Sequence, residues 1–206
     1  RASAISRTAH GWEVTVGEDV HQARILVNAA GAWADQIAIM AGIAPVGITP
    51  LRRSVARIPA PGGHDVTRWP MLMGAGEGWY AKPDAGQLII SPAEEDRVSE
   101  PHDAWPDDMV LAEGIARYQE FVTPEVTRLT SSWAGLRSFA PDRVLVLGPD
   151  PLDPAFIWVA GQGGYGFQTA PAASRLVADL VAGRAPELDA DLVAALSPAR
   201  FRGGVA

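Results

Sequence analysis

The chain has 206 residues, of which 48% are apolar and 20% charged, enough to bury a core and ordinary for a globular protein. A net charge of −7 without a basic aromatic patch speaks against nucleic acid as a partner, and no apolar run reaches the roughly 20 residues of a membrane span. The absence of cysteine excludes disulfides, thiolate metal sites and cysteine nucleophiles, and a cytoplasmic location is the expectation that fits.

In chain order, residues 4–9 and 12–16 alternate like the arms of a hairpin turned at His10-Gly11. Residues 23–27 read as a buried strand ending in Asn28-Ala-Ala-Gly31. A helix follows, with Trp33, Ile37, Ala38 and Ala41 on one stripe and Gly42 as its stop. A strand, a small-residue turn and a helix make a fragment of an α/β sheet that lacks its opening strand. With Arg1 at the start rather than methionine, the expectation is a piece of a longer protein.

Beyond Pro45 the pattern changes. Strands are expected at 54–58, 78–81 and 87–91, divided by Pro/Gly turns at 59–63 and 82–86, as in an antiparallel sheet. Residues 107–121 predict a helix that opens on Asp107 and Asp108 and carries Met109, Ile115, Tyr118 and Phe121 as apolar positions. Strands at 131–135 and 144–147 lead to an apolar strand at 156–160, a run of glycines, and a last helix opened by Pro171. The tail 186–206 reads as an extension lying on the α/β layer. The order α/β, antiparallel, α/β indicates one domain interrupted by an insertion.

The glycine run is the strongest local signal. Gly161, Gly163 and Gly166 spell G-x-G-x-x-G, a pattern that lets backbone approach a ligand at a helix N-terminus. The acidic residue that should follow on a second strand is missing, since Glu187 and Asp189 fall in the polar tail. The loop is therefore expected to cradle something flat and electron-rich without being a nucleotide-first Rossmann turn. The histidines His10, His21, His64 and His102 show no ligand spacing, so no metal site is expected.

Five segments together carry a resemblance: Asn28-Ala-Ala-Gly-Ala-Trp33, Pro50-Leu-Arg-Arg53, Trp79-Tyr-Ala-Lys-Pro83, Trp133-Ala-Gly-Leu-Arg-Ser-Phe139 and Gly161-Gln-Gly-Gly-Tyr-Gly166. In this order and spacing the chain resembles the C-terminal half of FAD-dependent enzymes of the D-amino-acid oxidase superfamily, with its D-arginine dehydrogenase branch nearest. The resemblance implies an α/β (α+β) fold: an incomplete FAD-binding Rossmann-like domain interrupted by an antiparallel-sheet substrate domain. Its parts would be 1–46 and 137–206 for the FAD-binding domain, and 47–136 for the substrate domain. Its partners would be a small-molecule amino acid substrate and the missing N-terminal half of the same enzyme, without which the chain alone is expected to be inactive.

The implied reaction takes the CH–NH2 group of a D-amino acid to an imino acid by hydride transfer to flavin, and water then releases a 2-oxo acid and ammonia. A guanidinium fork suits a carboxylate, and the resemblance puts Arg137 in that role; its plainer reading is a surface arginine at a strand end. Arg53 would be a second arginine on the same substrate end, and strand alternation turns Arg52 to the opposite face. Tyr80 would hydrogen-bond the carboxylate, and Met71 and Met73 would line the side-chain pocket; each is otherwise a packing residue. Gly163, Gly164, Tyr165, Gly166, Phe167, Gln168 and Thr169 would surround the flavin ring, with Gly164 and Gln168 also reaching the substrate. Ala29, Ala30 and Gly31 would back the cofactor. The alternatives are a sarcosine- or glycine-oxidase type of enzyme and a non-catalytic carboxylate-binding fragment.

Overall fold

A computed structural model describes residues 1–202; the last residues of the expected tail, 203–206, lie outside the described residues. The chain divides into two compact units, Arg1–Pro50 with Arg137–Ala206, and Leu51–Leu136.

The first unit opens with an antiparallel meander of β1 (Ala2–Thr8), β2 (Gly11–Val16) and β3 (Asp19–Ala23). Thr8 pairs with Gly11, so the first turn centres on Ala9-His10 instead of His10-Gly11; pairing simply continues one residue further. The strand expected over 23–27 is split between two sheets. β3 ends at Ala23 and is exposed throughout, whereas β4 (Leu26–Asn28) joins another sheet, where Leu26 N–H donates to the Ala155 carbonyl at 2.9 Å. A 3-10 turn at Gly31–Trp33 then leads into α1 (Ala34–Met40). Trp33 is 41% exposed, so the buried stripe runs through Ala34, Ala38 and Ala41 and not through the tryptophan. Asp35 fixes the exit of this segment by accepting from the N–H groups of Val46, Gly47 and Ile48 at 3.1, 2.9 and 2.7 Å.

The second unit is built on one sheet. Its strands are β5 (Thr49–Ile58), β6 (Leu72–Met73), β7 (Tyr80–Asp84), β8 (Gln87–Ser91), β9 (Asp96–Arg97) and β10 (Ser131–Phe139), in the order β10-β5-β8-β7-β6 with β9 also beside β5. β8 runs over the expected residues 87–91. β7 starts two residues late and runs through Lys82-Pro83-Asp84, which sequence reading took for turn. The turn is only Ala85-Gly86, both with left-handed φ (49° and 74°). Pro83 is accommodated because β6 pairs only with Tyr80 and Ala81, so no neighbour needs the missing N–H.

α2 (Asp108–Gln119) covers one face of this sheet. Asp107 caps it, accepting from Met109 N–H and Val110 N–H at 2.9 and 3.2 Å, as the sequence indicated. Its buried side is Leu111, Gly114 and Tyr118, while Met109 and Phe121 are exposed. Tyr118 stands edge-on to Trp79 at 5.3 Å, within a core of Ile58, Ala81, Leu88 and Ile90.

The chain returns along β10, which passes through Gly135 instead of ending there and carries on to Phe139. β11 (Val146–Pro149) and β12 (Phe156–Ala160) then complete a three-stranded sheet, order β11-β12-β4, with β12 and β4 parallel. α3 (Gly166–Val181) starts five residues before Pro171, because the helix winds directly off the glycine run and absorbs the proline in its second turn. α4 (Ala190–Leu196) and a 3-10 turn at Pro198–Phe201 form the tail, whose Leu188, Val193 and Leu196 pack on Leu147 and Leu176. Asp150, 1% exposed, ties this end together: it accepts from Trp158 Nε1 at 3.1 Å, Leu152 N–H at 3.0 Å and Arg202 Nη2 at 2.9 Å.

Candidate active site

In the second unit, register decides which side chains share a face. Tyr80 pairs with both Met73 and Ser91, and Ile90 pairs with Ala56. Because side chains alternate, Met73, Tyr80, Ser91, Val55 and Arg53 stand on one face, and Ala56, Ala81 and Ile90 on the face under α2. Arg52 turns the other way, as alternation required, and pairs with Asp96 at 2.6 Å. Arg53 meets Glu95 at 3.0 Å, its side chain only one-tenth exposed. Tyr80 is buried, whereas Met71 and Met73 are about half exposed. Thus Arg53, Tyr80 and Met73 come together on one sheet face, with exposed Met71 two residues before Met73.

Arg137, where the chain re-enters the first unit, sits two residues before the end of β10, half-buried and with no hydrogen-bond or ion-pair partner among the described residues. Its guanidinium lies against the glycine run: a Cβ at Gly164 would stand 2.9 Å from Nη1 and 3.2 Å from Cζ. Gly163 N–H donates to the Ser138 carbonyl at 2.8 Å, which pins the loop to β10. Gly163 has φ +53°, and a Cβ there would stand 2.5 Å from Phe139 Cε1, so only glycine closes this corner.

The loop runs straight into α3. Tyr165 caps that helix without a side-chain bond, so the first-turn N–H groups and the positive end of the dipole are left for a ligand. Thr169 Oγ1 is turned back onto the Tyr165 carbonyl at 2.8 Å, while Tyr165, Phe167 and Gln168 are exposed and Gly166 half-buried. Because β4 and β12 are parallel, with Asn28 opposite Trp158, Ala29–Gly31 and the glycine run leave the sheet at the same carboxyl end. That end is where open α/β sheets place their ligands. The buried Asn28 holds the turn in shape, with Nδ2 donating to Ala34 O at 2.8 Å and Oδ1 accepting from Ala30 N–H at 3.4 Å.

A flat, electron-rich ring such as a flavin fits these residues. A Cβ at Gly163 or Gly164 would press on Phe139 or Arg137, so glycine keeps this backbone close and bare, and the donor set is a helix N-terminus suited to negative charge. Sequence reading gave no role of their own to Asn28 and Ser138, which stand within the motif segments, or to Glu95. Only an asparagine ahead of small residues, and an acidic run 94–96 facing two arginines, could have signalled two of them. All four histidines are exposed, and among the described residues no group of three or more acidic or histidine side chains could hold a metal. No helix of the described residues is long and apolar enough to cross a membrane.

Comparison with known proteins adds to this geometry. A family described as FAD dependent oxidoreductase matches residues 1–180. The FAD-dependent oxidoreductase domain-containing protein 1 of Bos taurus is 31% identical over 180 residues, 76% of this chain and 35% of that protein. A D-amino acid dehydrogenase of Xanthobacter autotrophicus is 42% identical over 69 residues, 34% of this chain and 15% of that protein. Among solved structures, glycine oxidase from Geobacillus kaustophilus superposes with a TM-score of 0.80 at 22% identity, over 96% of this chain and 51% of that one. The chain therefore spans about a third of the length of that bovine relative and half of that oxidase.

Proposed function

Because the chain belongs to the family of FAD-dependent oxidoreductases, we propose that it carries the substrate clamp and flavin-ring cradle of an enzyme oxidising D-amino acids at Cα. The observation that carries this reading is Arg137: a half-buried guanidinium without a protein partner, laid against a glycine loop at a helix N-terminus. A partly buried cation without a partner loses some hydration uncompensated, and a bidentate carboxylate would relieve this.

In this reading Arg137 takes the substrate carboxylate through its fork in the first unit, and in the second unit the Tyr80 hydroxyl is a hydrogen-bond donor for substrate. Arg53, on the same sheet face as Tyr80, supplies a positive charge for substrate, while Met71 and Met73 contact its side chain. Bound FAD supplies the hydride acceptor. The first-turn N–H groups of Gly166–Gln168 would stabilise negative charge on a bound flavin, with Gly163–Thr169 around its ring, and the turn at Ala29–Gly31 would back the cofactor. The substrate enters with a neutral amine; Cα gives up hydride, the nitrogen loses a proton to water, and the imino acid is hydrolysed to 2-oxo acid and ammonia. No side chain need act as a general base.

The D configuration draws support from the name of the Xanthobacter relative and from the motif resemblance. The test is Arg137→Ala in the complete flavoenzyme, which is expected to raise KM for D-amino acids about a hundredfold, as loss of two charge-assisted bonds implies. The bound-flavin absorption spectrum should be unchanged. Normal KM in that variant would remove Arg137 from the clamp. Turnover of glycine or N-methyl glycine alone would give the glycine/sarcosine-oxidase reading instead, and flavin-loaded protein that reduces with no amine would leave a carboxylate-binding fragment.

A further inference from the structure

We propose that Glu94 and Ser91 are positioning residues for Arg53, an assignment that rests on the reading of Arg53 as a substrate ligand. Along one edge, β5 pairs with β8 through Ala56–Ile58 and with β9 through Leu51 and Arg52. Residues 53–55 fall in the gap, after β8 has ended at Ser91 and before β9 begins. Two side chains stand in for the missing backbone partners. Ser54 N–H donates to Glu94 Oε1, and Ser91 Oγ donates to the Ser54 carbonyl at 2.7 Å. Ser54 itself is wholly buried, so the strand is fixed directly beside Arg53.

The segment that supplies these groups is itself held from two sides. Ser91 Oγ accepts from Ala93 N–H at 3.2 Å, and Ala93 has φ 57°, a left-handed conformation that an L-residue adopts at a cost of roughly 1 kcal/mol or more. From α2, Arg117 donates through Nη2 to the Pro92 carbonyl at 3.3 Å and through Nε to the Gly78 carbonyl at 2.9 Å, two residues ahead of Tyr80. At Gly114 the helix touches the same segment so closely that a Cβ would stand 2.6 Å from Pro92 Cα. Beyond Glu94 the chain presents Glu95, whose carboxylate meets Arg53 Nη2. One short segment thus sets both the backbone at Arg53 and the direction of its guanidinium. Glu94 Oε2 is buried with no hydrogen-bond partner among the described residues, so the carboxylate is kept at a cost in stability. That pattern suits a residue retained for geometry.

The experiment compares Glu94→Ala, Glu94→Gln, Ser91→Ala and Arg53→Lys in the complete flavoenzyme, by initial rates on a D-amino acid and by thermal melting. Glu94→Ala is expected to raise KM about tenfold with kcat within about twofold, since a clamp displaced by a fraction of an ångström binds less well. Glu94→Gln still accepts from Ser54 N–H; it should keep KM within about threefold and melt no lower. Ser91→Ala, a smaller deletion, should raise KM about threefold and serves if Glu94→Ala does not fold. If Arg53→Lys raises KM but Glu94→Ala and Ser91→Ala only lower the melting temperature, the segment is merely structural and the proposal fails. If Arg53→Lys leaves KM unchanged, Arg53 is not a substrate ligand, and both the proposal and that part of the proposed function fall.

Discussion

Gly163 and Gly164 are adjacent, yet the structure assigns them opposite responses to the same added methyl. Gly164 has an ordinary φ, and its Cβ would come 2.9 Å from Arg137 Nη1. The obstructed atom is the far end of a flexible side chain, so relief needs only a shift of about 0.5 Å in the guanidinium, measured against a normal contact of roughly 3.4 Å. Gly164→Ala should therefore cost under about 0.5 kcal/mol of stability, in line with changes that leave the core alone. The displaced fork should still weaken carboxylate binding about tenfold, given that misplacement by 1 Å can cost a hundredfold. Gly163→Ala meets a ring carbon at 2.5 Å and must hold φ +53°. Left-handed strain of roughly 1 kcal/mol and overpacking of roughly 1–3 kcal/mol sum to about 2–4 kcal/mol. The assay is urea unfolding of both variants alongside KM for a D-amino acid in the complete flavoenzyme. A Gly164→Ala enzyme with unchanged KM, or a Gly163→Ala protein as stable as the parent, would refute the reasoning.

The remaining expectations concern stability. Burial pushes the Asp150 carboxyl up, but hydrogen bonds from Arg202, Leu152 and Trp158 outweigh it and hold the carboxyl below its ordinary value. A depressed carboxylate stabilises the fold above its unfolded pKa of about 3.9 and loses that contribution as pH falls through the folded value. Asp150→Asn should cost about 2–3 kcal/mol at pH 7, and the gap to the parent should narrow below about pH 4; a constant gap down to pH 2 would contradict the assignment. Removing the cap of α2 by Asp107→Ala should lower stability by about 1 kcal/mol, read as a shift in the urea midpoint without change in slope.

Much of this architecture was legible before any coordinates, because its cues are local and chemical. Asp107 announces a cap, Leu88-Ile-Ile90 between a Pro/Gly turn and Ser91-Pro92 reads as a buried strand, and the small residues after Asn28 and Ala160 mark the carboxyl ends of two parallel strands. What was not legible depends on partners far away in sequence. Nothing at Arg24-Ile25 signals that β3 and β4 belong to different sheets; the split exists because Ala155 and Phe156 offer Leu26 a partner. Gly135 looks like a strand end and Lys82-Pro83-Asp84 like a turn, but neighbouring strands overrule both, and the β6 side of Pro83 is free of a partner that would need its N–H. The same limit governs the site. Arg137 and Arg53 stood out as cations in family motifs, whereas the contact of Arg137 with Gly164 and the support of Arg53 by Glu94 through Ser54 emerge only on folding.

The interruption of one unit by another also orders events during synthesis. Residues 1–50 cannot complete their unit until 137–202 have been made, so β4 must wait for β12. The insertion is contiguous, so all the strands and the helix within it are made before the first unit's second segment. Left unfolded, a loop of its length would charge the first unit roughly 4 kcal/mol in closure entropy. Folded, it removes most of that cost, because β5, where the chain enters, and β10, where it leaves, are hydrogen-bonded neighbours. A mutation that slows the insertion would then delay a sheet in the other unit, leaving β4 longer without its partner β12.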